Sequence, residues 1–239
     1  MSNKHLKNHK NTSSSILILA FFLTCSQLFA QKISTDTLSR VGYAYSQDDT
    51  SKLVFIEHSK YLIKDNEIVW SSSQFTVDGK QVATKLYSFE NGNVKYVYQF
   101  KDGYNETAIK NGNSYDCYVT KKHGEKHTKR SIQNNSLLRI DEGVISTILK
   151  HKKTLDAGER VPIKIMVVER GDYFEFLLEL VTIHNSNTAT YTLFPNNFLL
   201  RAFVPDFYFT IQNGQLKKVI GMSKVGRQLD EPEVLIKFK

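Results

Sequence analysis

Apolar and polar residues alternate with period two along most of this chain. Over residues 94–100, Tyr96, Tyr98 and Phe100 share one face. Over 163–169, Ile163, Ile165 and Val167 do the same. Over 173–181, Phe174, Phe176, Leu178 and Leu180 point one way while Glu175 and Glu179 point the other, and Phe207, Phe209 and Ile211 repeat the pattern. Successive side chains of a strand project to opposite faces, so this alternation predicts strands with one buried face. Turn signals punctuate the runs: Asp78-Gly79, Asn91-Gly92, Asp102-Gly103, Asn111-Gly112, His123-Gly124 and Asn213-Gly214. Asn-Gly and Asp-Gly supply the positive φ angles of tight hairpins. Their close spacing predicts an antiparallel meander.

One segment breaks the beat. Residues 141–153 carry Val144, Ile145, Ile148 and Leu149 at helical spacing. Asp141 is placed to cap the start, and Lys150, Lys152 and Lys153 suit the negative C-terminal end. Ala157-Gly158 closes the element. The helix is expected to lie on the sheet or to join its two halves. No long Pro-, Ser- or Gly-rich linker interrupts residues 31–239, so one β-rich domain is expected there. The predicted fold is mainly β: a single antiparallel meander sheet, strongly curved or a partly open barrel, with one amphipathic helix near 141–153.

The first thirty residues read differently. Lys4, Lys7 and Lys10 form a basic start free of acids, residues 16–23 are apolar, and Leu28-Phe29-Ala30-Gln31 has the form of a signal-peptidase site. Residues 1–30 are therefore expected to be a secretory signal peptide. Its apolar run falls short of the roughly 20 residues that span a bilayer, and no later segment comes close, so no transmembrane span is expected in the mature chain. Lipidation at Cys25 is the alternative, but Phe22 and Thr24 suit that motif poorly and plain cleavage after Ala30 is preferred. Loss of the leader's three lysines lowers the formal charge from +8 to +5 and leaves Cys117 as the one thiol, with no internal disulfide to form. Cys117 is expected to be a small buried hydrophobe on a strand. Nucleic acid is a poor partner for an exported chain of this charge.

Signatures of chemistry are missing. There is no Walker loop, no G-x-G-x-x-G after a strand, no G-x-S-x-G elbow and no H-E-x-x-H helix. His123 and His127 sit in a turn whose lysines would repel a metal ion. Glu57 and His58 are neighbours on a strand and so face opposite ways. No catalytic set, metal site or cofactor is expected. If the sheet curves, some aromatic residues line its concavity, where small apolar ligands bind. The ligand-binding candidates are His58, Tyr61, Trp70 and Arg201, the last read first as an arginine covering apolar neighbours with its stem.

Several motifs occur together over residues 52–239. They are Glu57-His58, the hairpin 61–70 with Asp65-Asn66, residues 75–86 with Asp78-Gly79, the apolar segment 198–205 with Arg201 inside it, and Val219-Ile220-Gly221-Met222-Ser223. With them the chain resembles an exported bacterial β-rich family known only as a domain of unknown function (DUF 3108-like), of Bacteroidetes type. The family usually has asparagine after that serine, where this chain has Lys224. The resemblance implies a periplasmic or outer-membrane-associated location in a Gram-negative envelope, or secretion, and brings no assigned activity. Three functions are left open: a non-catalytic protein binding a lipid-like or glycan ligand or an envelope protein, a hydrolase with a dispersed site built around His58, and an assembly protein that uses a strand edge or the apolar patch near 198–204.

Overall fold

The computed structural model describes residues 35–239 except 66, 91–92, 122–127 and 135–136. The leader, Cys25 and the His123/His127 turn lie outside the described residues. The first eight strands are β1 (Thr35–Ser46), β2 (Leu53–Lys64), β3 (Glu67–Val77), β4 (Lys80–Glu90), β5 (Asn93–Phe100), β6 (Asn105–Asn111), β7 (Ser114–Thr120) and β8 (Thr128–Gln133). After β9 (Leu138–Arg139) come two helices, α1 (Glu142–Lys150) and α2 (Lys152–Asp156). Then follow β10 (Val161–Val167), β11 (Asp172–Asn185), β12 (Thr188–Pro195), α3 (Phe198–Arg201), β13 (Phe207–Gln212), β14 (Gln215–Met222), α4 (Lys224–Gln228) and β15 (Glu233–Phe238).

The fifteen strands of the described residues join one sheet. It runs from β8 back to β1, continues through β15, and then runs back to β9. Every pairing is antiparallel except β9 with β10. The predicted meander is thus two meanders joined along β1–β15, and the chain crosses from one edge of the sheet to the other between β8 and β9. The turns behave as their residues dictate. Asp78 (φ 49°) with Gly79 (φ 74°), and Asn213 (φ 51°) with Gly214 (φ 73°), form two-residue hairpins with both φ positive.

The sheet curls until its β8 edge meets the β10–β11 turn of the other arm without closing into a ladder. Arg130 on β8 donates to the Arg170 carbonyl in the β10–β11 turn. Its stem lies against Gly171, where φ is 60° and any Cβ would collide with it. A curl of this many strands leaves an interior wider than side chains alone can fill. The helical segment fills it. Every residue of α1 from Glu142 to Ile148 is buried, and Leu155 of α2 is fully buried. The Ile68 N–H of β3 donates to Ser146 Oγ (3.0 Å), and the Tyr191 hydroxyl of β12 donates to Asp156 Oδ1 (2.7 Å). Between them the two helices therefore touch both arms of the curl.

The helix expected near 141–153 is present, and of its two placements, on the sheet or joining its halves, the second is found. The segment is two helices broken at His151, and α1 is enclosed on nearly all sides. Asp141 makes no side-chain cap and sits at φ 46°, because its carboxylate is turned to Lys85. The strand expected at 163–169 ends at Val167, where the Arg170 and Gly171 N–H groups bond back to its carbonyl. The strand expected at 173–181 runs on to Asn185 because β12 pairs with it that far. Among the described residues no helix is long and apolar enough to cross a membrane.

Candidate functional site

The four sequence candidates do not meet. Alternation places His58 on the exposed outer face of β2, and Trp70 on the face of β3 opposite the buried Ser71. Tyr61 points inward and is buried beneath Arg40, whose guanidinium lies 4.3 Å from the ring centroid and donates to the phenol. Arg201 belongs to α3. Its guanidinium lies 4.1 Å from the Phe194 ring centroid and its Nε donates to the Pro195 carbonyl (3.1 Å). Glu57 is buried, accepting from Ser59 and from Ser73 (3.1 Å), while His58 faces away from it. His58 therefore stands on the outer face, apart from Glu57, as their neighbouring strand positions require. Cys117 is buried on β7, and burial pushes its thiol up to about 11.

The inner face holds a feature that sequence reasoning missed. The register aligns Arg40, Ser59, Ser73, Lys85, Tyr98 and Glu106 as one row across six consecutive strands, β1 to β6. Each occupies a position that parity assigns to the core. In β4, Lys85 shares its face with Ala83 and Tyr87; in β6, Glu106 shares its face with Ala108. A charge at a core parity position was the signal available in the sequence.

Two ion clusters grow from this row. Lys85 meets Glu142 (2.9 Å) and Asp141 (3.2 Å) at the start of α1. Burial alone would push the lysine down, but the two carboxylates outweigh it and hold its ammonium well above the usual range. Burial and the neighbouring Asp141 in turn push the Glu142 carboxyl up, against the pull of Lys85. At the other cluster, Lys224 at the start of α4 reaches Glu106, which is fully buried, and donates to the Tyr96 hydroxyl (3.1 Å). The Tyr104 hydroxyl donates to the second Glu106 oxygen. The lysine that stands where the resembling family has asparagine is thus the counter-charge of an interior glutamate. Both clusters are anchors: they tie α1 and α4 to the far arm of the curl.

A cavity of about 350 Å³ remains between the sheet and the plug. Tyr87, Phe89 and Val94 line it from β4 and β5, Lys110 and Tyr115 from β6 and β7, and Leu138, Arg139, Gly143 and Lys150 from β9 and α1. Arg139 lies along the first turn of α1 because Gly143 has no side chain: a Cβ there would come 3.2 Å from the arginine Cδ. Arg139 Nε donates to Thr147 Oγ1 (2.9 Å). Burial raises the Tyr87 and Tyr115 phenols, so both are neutral hydroxyls. Among the described residues that line it, the cations Lys110, Arg139 and Lys150 stand against the acid Glu67. Volumes from about 300 Å³ upward are typical of small-molecule sites.

No family model matches the chain, and no curated protein matches it. The DUF 3108-like resemblance therefore has no family-model match behind it. Among solved structures, the chain is similar to a crystal structure titled as a β-barrel-like protein of a domain of unknown function, DUF1849, from Brucella abortus. That similarity has a TM-score of 0.46 at 6% identity, over 87% of this chain and 95% of that one.

Proposed function

We propose that this is a non-catalytic, exported binding protein that takes a small amphipathic anion in the cavity beside α1. The observation that carries this reading is the composition of the wall, an excess of cations among apolar and aromatic residues. Together Lys110, Arg139 and Lys150 give the wall a positive potential that suits a carboxylate or phosphate head. Phe89, Val94, Leu138 and Met166 suit an apolar body. The size argues for a short chain or a single ring, and against a diacyl lipid. Export to the envelope rests on the form of the leader alone.

Titration calorimetry with medium-chain alkyl carboxylates and alkyl phosphates tests the proposal. Saturable binding is expected, weakened at least tenfold by Arg139→Gln, with the matching uncharged alcohols binding worse. No saturable binding of either series, or equal binding of acid and alcohol, would overturn it. A second reading, a scaffold for envelope assembly, is favoured by one observation: helix α1 and the buried tyrosines occupy the concave face where a large ligand would otherwise sit.

A further inference from the structure

The largest exposed apolar groups of the described fold are gathered at one place. In the β12–β13 connection, Phe198 is 78% exposed, Phe203 82% and Leu199 59%. Isolated exposed leucines are ordinary, but two fully presented phenylalanines within six residues are not. The segment is not loose chain. The Asn197 side chain accepts from the Leu199 N–H (2.8 Å), and the Leu200 and Arg201 N–H groups bond to the Asn197 carbonyl (3.1 and 3.3 Å). The Val204 N–H bonds to the Leu200 carbonyl (2.8 Å), and Val204 packs against the core. Arg201 pins the base through Phe194 and Pro195. A built turn therefore holds these rings out in water.

We propose that this tip docks on a lipid bilayer, with Phe198, Leu199 and Phe203 entering the boundary between headgroups and acyl chains. The exposed area selects a membrane over a protein. The three side chains expose about 400 Å² together, taking roughly 200 Å² for a phenylalanine. That is about half of the roughly 800 Å² each partner gives to a stable protein interface. The amount is ample for interfacial anchoring, where a few aromatic and aliphatic side chains sink a short way into the surface. The surroundings of the tip carry both signs. Arg201 sits in it and Arg170 lies over the Phe174 ring (5.6 Å). Lys164 is paired with Glu175 (3.4 Å) in the open groove that Tyr173, Phe174 and residues 196–200 line, and Asp206 is exposed at the end of the connection. The apolar area therefore carries the proposal, with zwitterionic and anionic lipid both as hosts. The proposal is independent of the cavity and of what the cavity holds.

Co-sedimentation of the protein with phosphatidylglycerol/phosphatidylethanolamine vesicles tests it, at low and high salt. Binding is expected, and F198S/F203S should weaken it at least tenfold while leaving the thermal melt unchanged, since both rings are outside the core. Ile109→Ser, an exposed apolar change on β6, should leave binding intact. Phe203→Trp should bind like the native protein and shift its added emission to the blue on vesicles. Native protein that fails to sediment overturns the proposal, as does F198S/F203S binding as well as native. A self-associating native protein that F198S/F203S makes monomeric, with no vesicle binding by either, would give the tip to a second copy and overturn it too. Binding abolished by salt with no dependence on the phenylalanines would attribute adhesion to net charge alone.

Discussion

Replacing Lys85 by methionine asks whether the plug helix is held in the curl by charge. Methionine keeps most of the apolar stem and removes the ammonium. The Lys85 side chain is 11% exposed and that of Glu142 is 4% exposed, so the pair lies out of water. Breaking a buried pair strands the remaining charge, which costs about 3–5 kcal/mol. Two features place this case at the lower end. Asp141 is 35% exposed and can turn to solvent, and Glu142 can take up a proton. The expected loss is about 3 kcal/mol, or about 6–12 °C in Tm for a domain of this size, by calorimetry. The pH dependence adds a second reading. Lys85 has a raised folded value, so its contribution is complete below about 10.5 and fades as pH climbs beyond that toward the folded value. Glu142 is also raised, so its penalty grows as pH rises from about 4.5 and vanishes below it. Without Lys85 that penalty is larger. The gap between K85M and native should therefore be widest near neutral pH and narrow in acid. Lys85→Met combined with Glu142→Leu should recover most of the loss, because apolar replacement of a buried pair is often neutral. A K85M cost below about 1 kcal/mol, or a double variant as unstable as the two singles combined, would refute the anchor.

Lys224→Met should cost about 2 kcal/mol in urea unfolding, less than a fully buried pair because Lys224 is 37% exposed while Glu106 is enclosed. Asp156 carries a lowered carboxyl: burial opposes this, but the hydrogen bonds from Lys152 and Tyr191 outweigh it. Its contribution is present above about 3.8 and is lost as pH falls through the folded value, so Asp156→Asn should cost about 1 kcal/mol at neutral pH and converge with native in strong acid, followed by melts across pH. Gly42→Ala places a Cβ 2.6 Å from the Phe238 ring on the β1–β15 seam, and should cost about 1–3 kcal/mol by denaturant titration. The Cys117 thiol, buried and shifted up to about 11, should resist a thiol-exchange reagent in native buffer and react at once in denaturant.

The strands were legible because one face of each is buried and the other wet. The alternation in Phe174, Phe176, Leu178 and Leu180 is that contrast written in sequence, and Asp78-Gly79 and Asn213-Gly214 fix two hairpins by backbone geometry alone. The curl could be anticipated, but the crossing from β8 to β9 could not, since no local pattern says which strand pairs with β1. The helix is legible too, but its depth in the fold is not, for a related reason. Val144, Ile145, Ile148 and Leu149 look like one apolar stripe, yet Gly143, Ser146 and Thr147 on the other sides are buried as well. Small and hydroxyl residues tolerate either environment, so the pattern cannot separate a helix on a sheet from a helix inside one. His58, Tyr61, Trp70 and Arg201 are all side-chain types that bind ligands, which says nothing of where they point. Parity separates them: Tyr61 faces in while His58 and Trp70 face out. The cavity was out of reach, because Arg139, Lys110 and Lys150 lie on three elements whose approach depends on the crossing.

The same geometry explains why so many charges sit inside a protein that lacks a disulfide among its described residues. A sheet of fifteen strands that stops short of closing has two edges, and nothing in its backbone ladder decides how tightly it rolls. The roll must be fixed by whatever occupies the middle. An apolar plug would be held by forces that hardly discriminate one depth or rotation from another. A lysine that must meet two carboxylates at the first turn of α1, and a second that must reach Glu106 from α4, accept far fewer arrangements. Arg130 seated on Gly171 adds a third stitch, from the β8 edge to the β10–β11 turn. If these contacts set the curvature, breaking one should loosen the plug before it unfolds the sheet. Amide exchange in K85M should then accelerate across residues 142–150 while β2 and β3 stay protected. Uniform acceleration of helix and strands alike would show that plug and sheet open as one unit, and that the charges stabilise the whole fold instead of its shape.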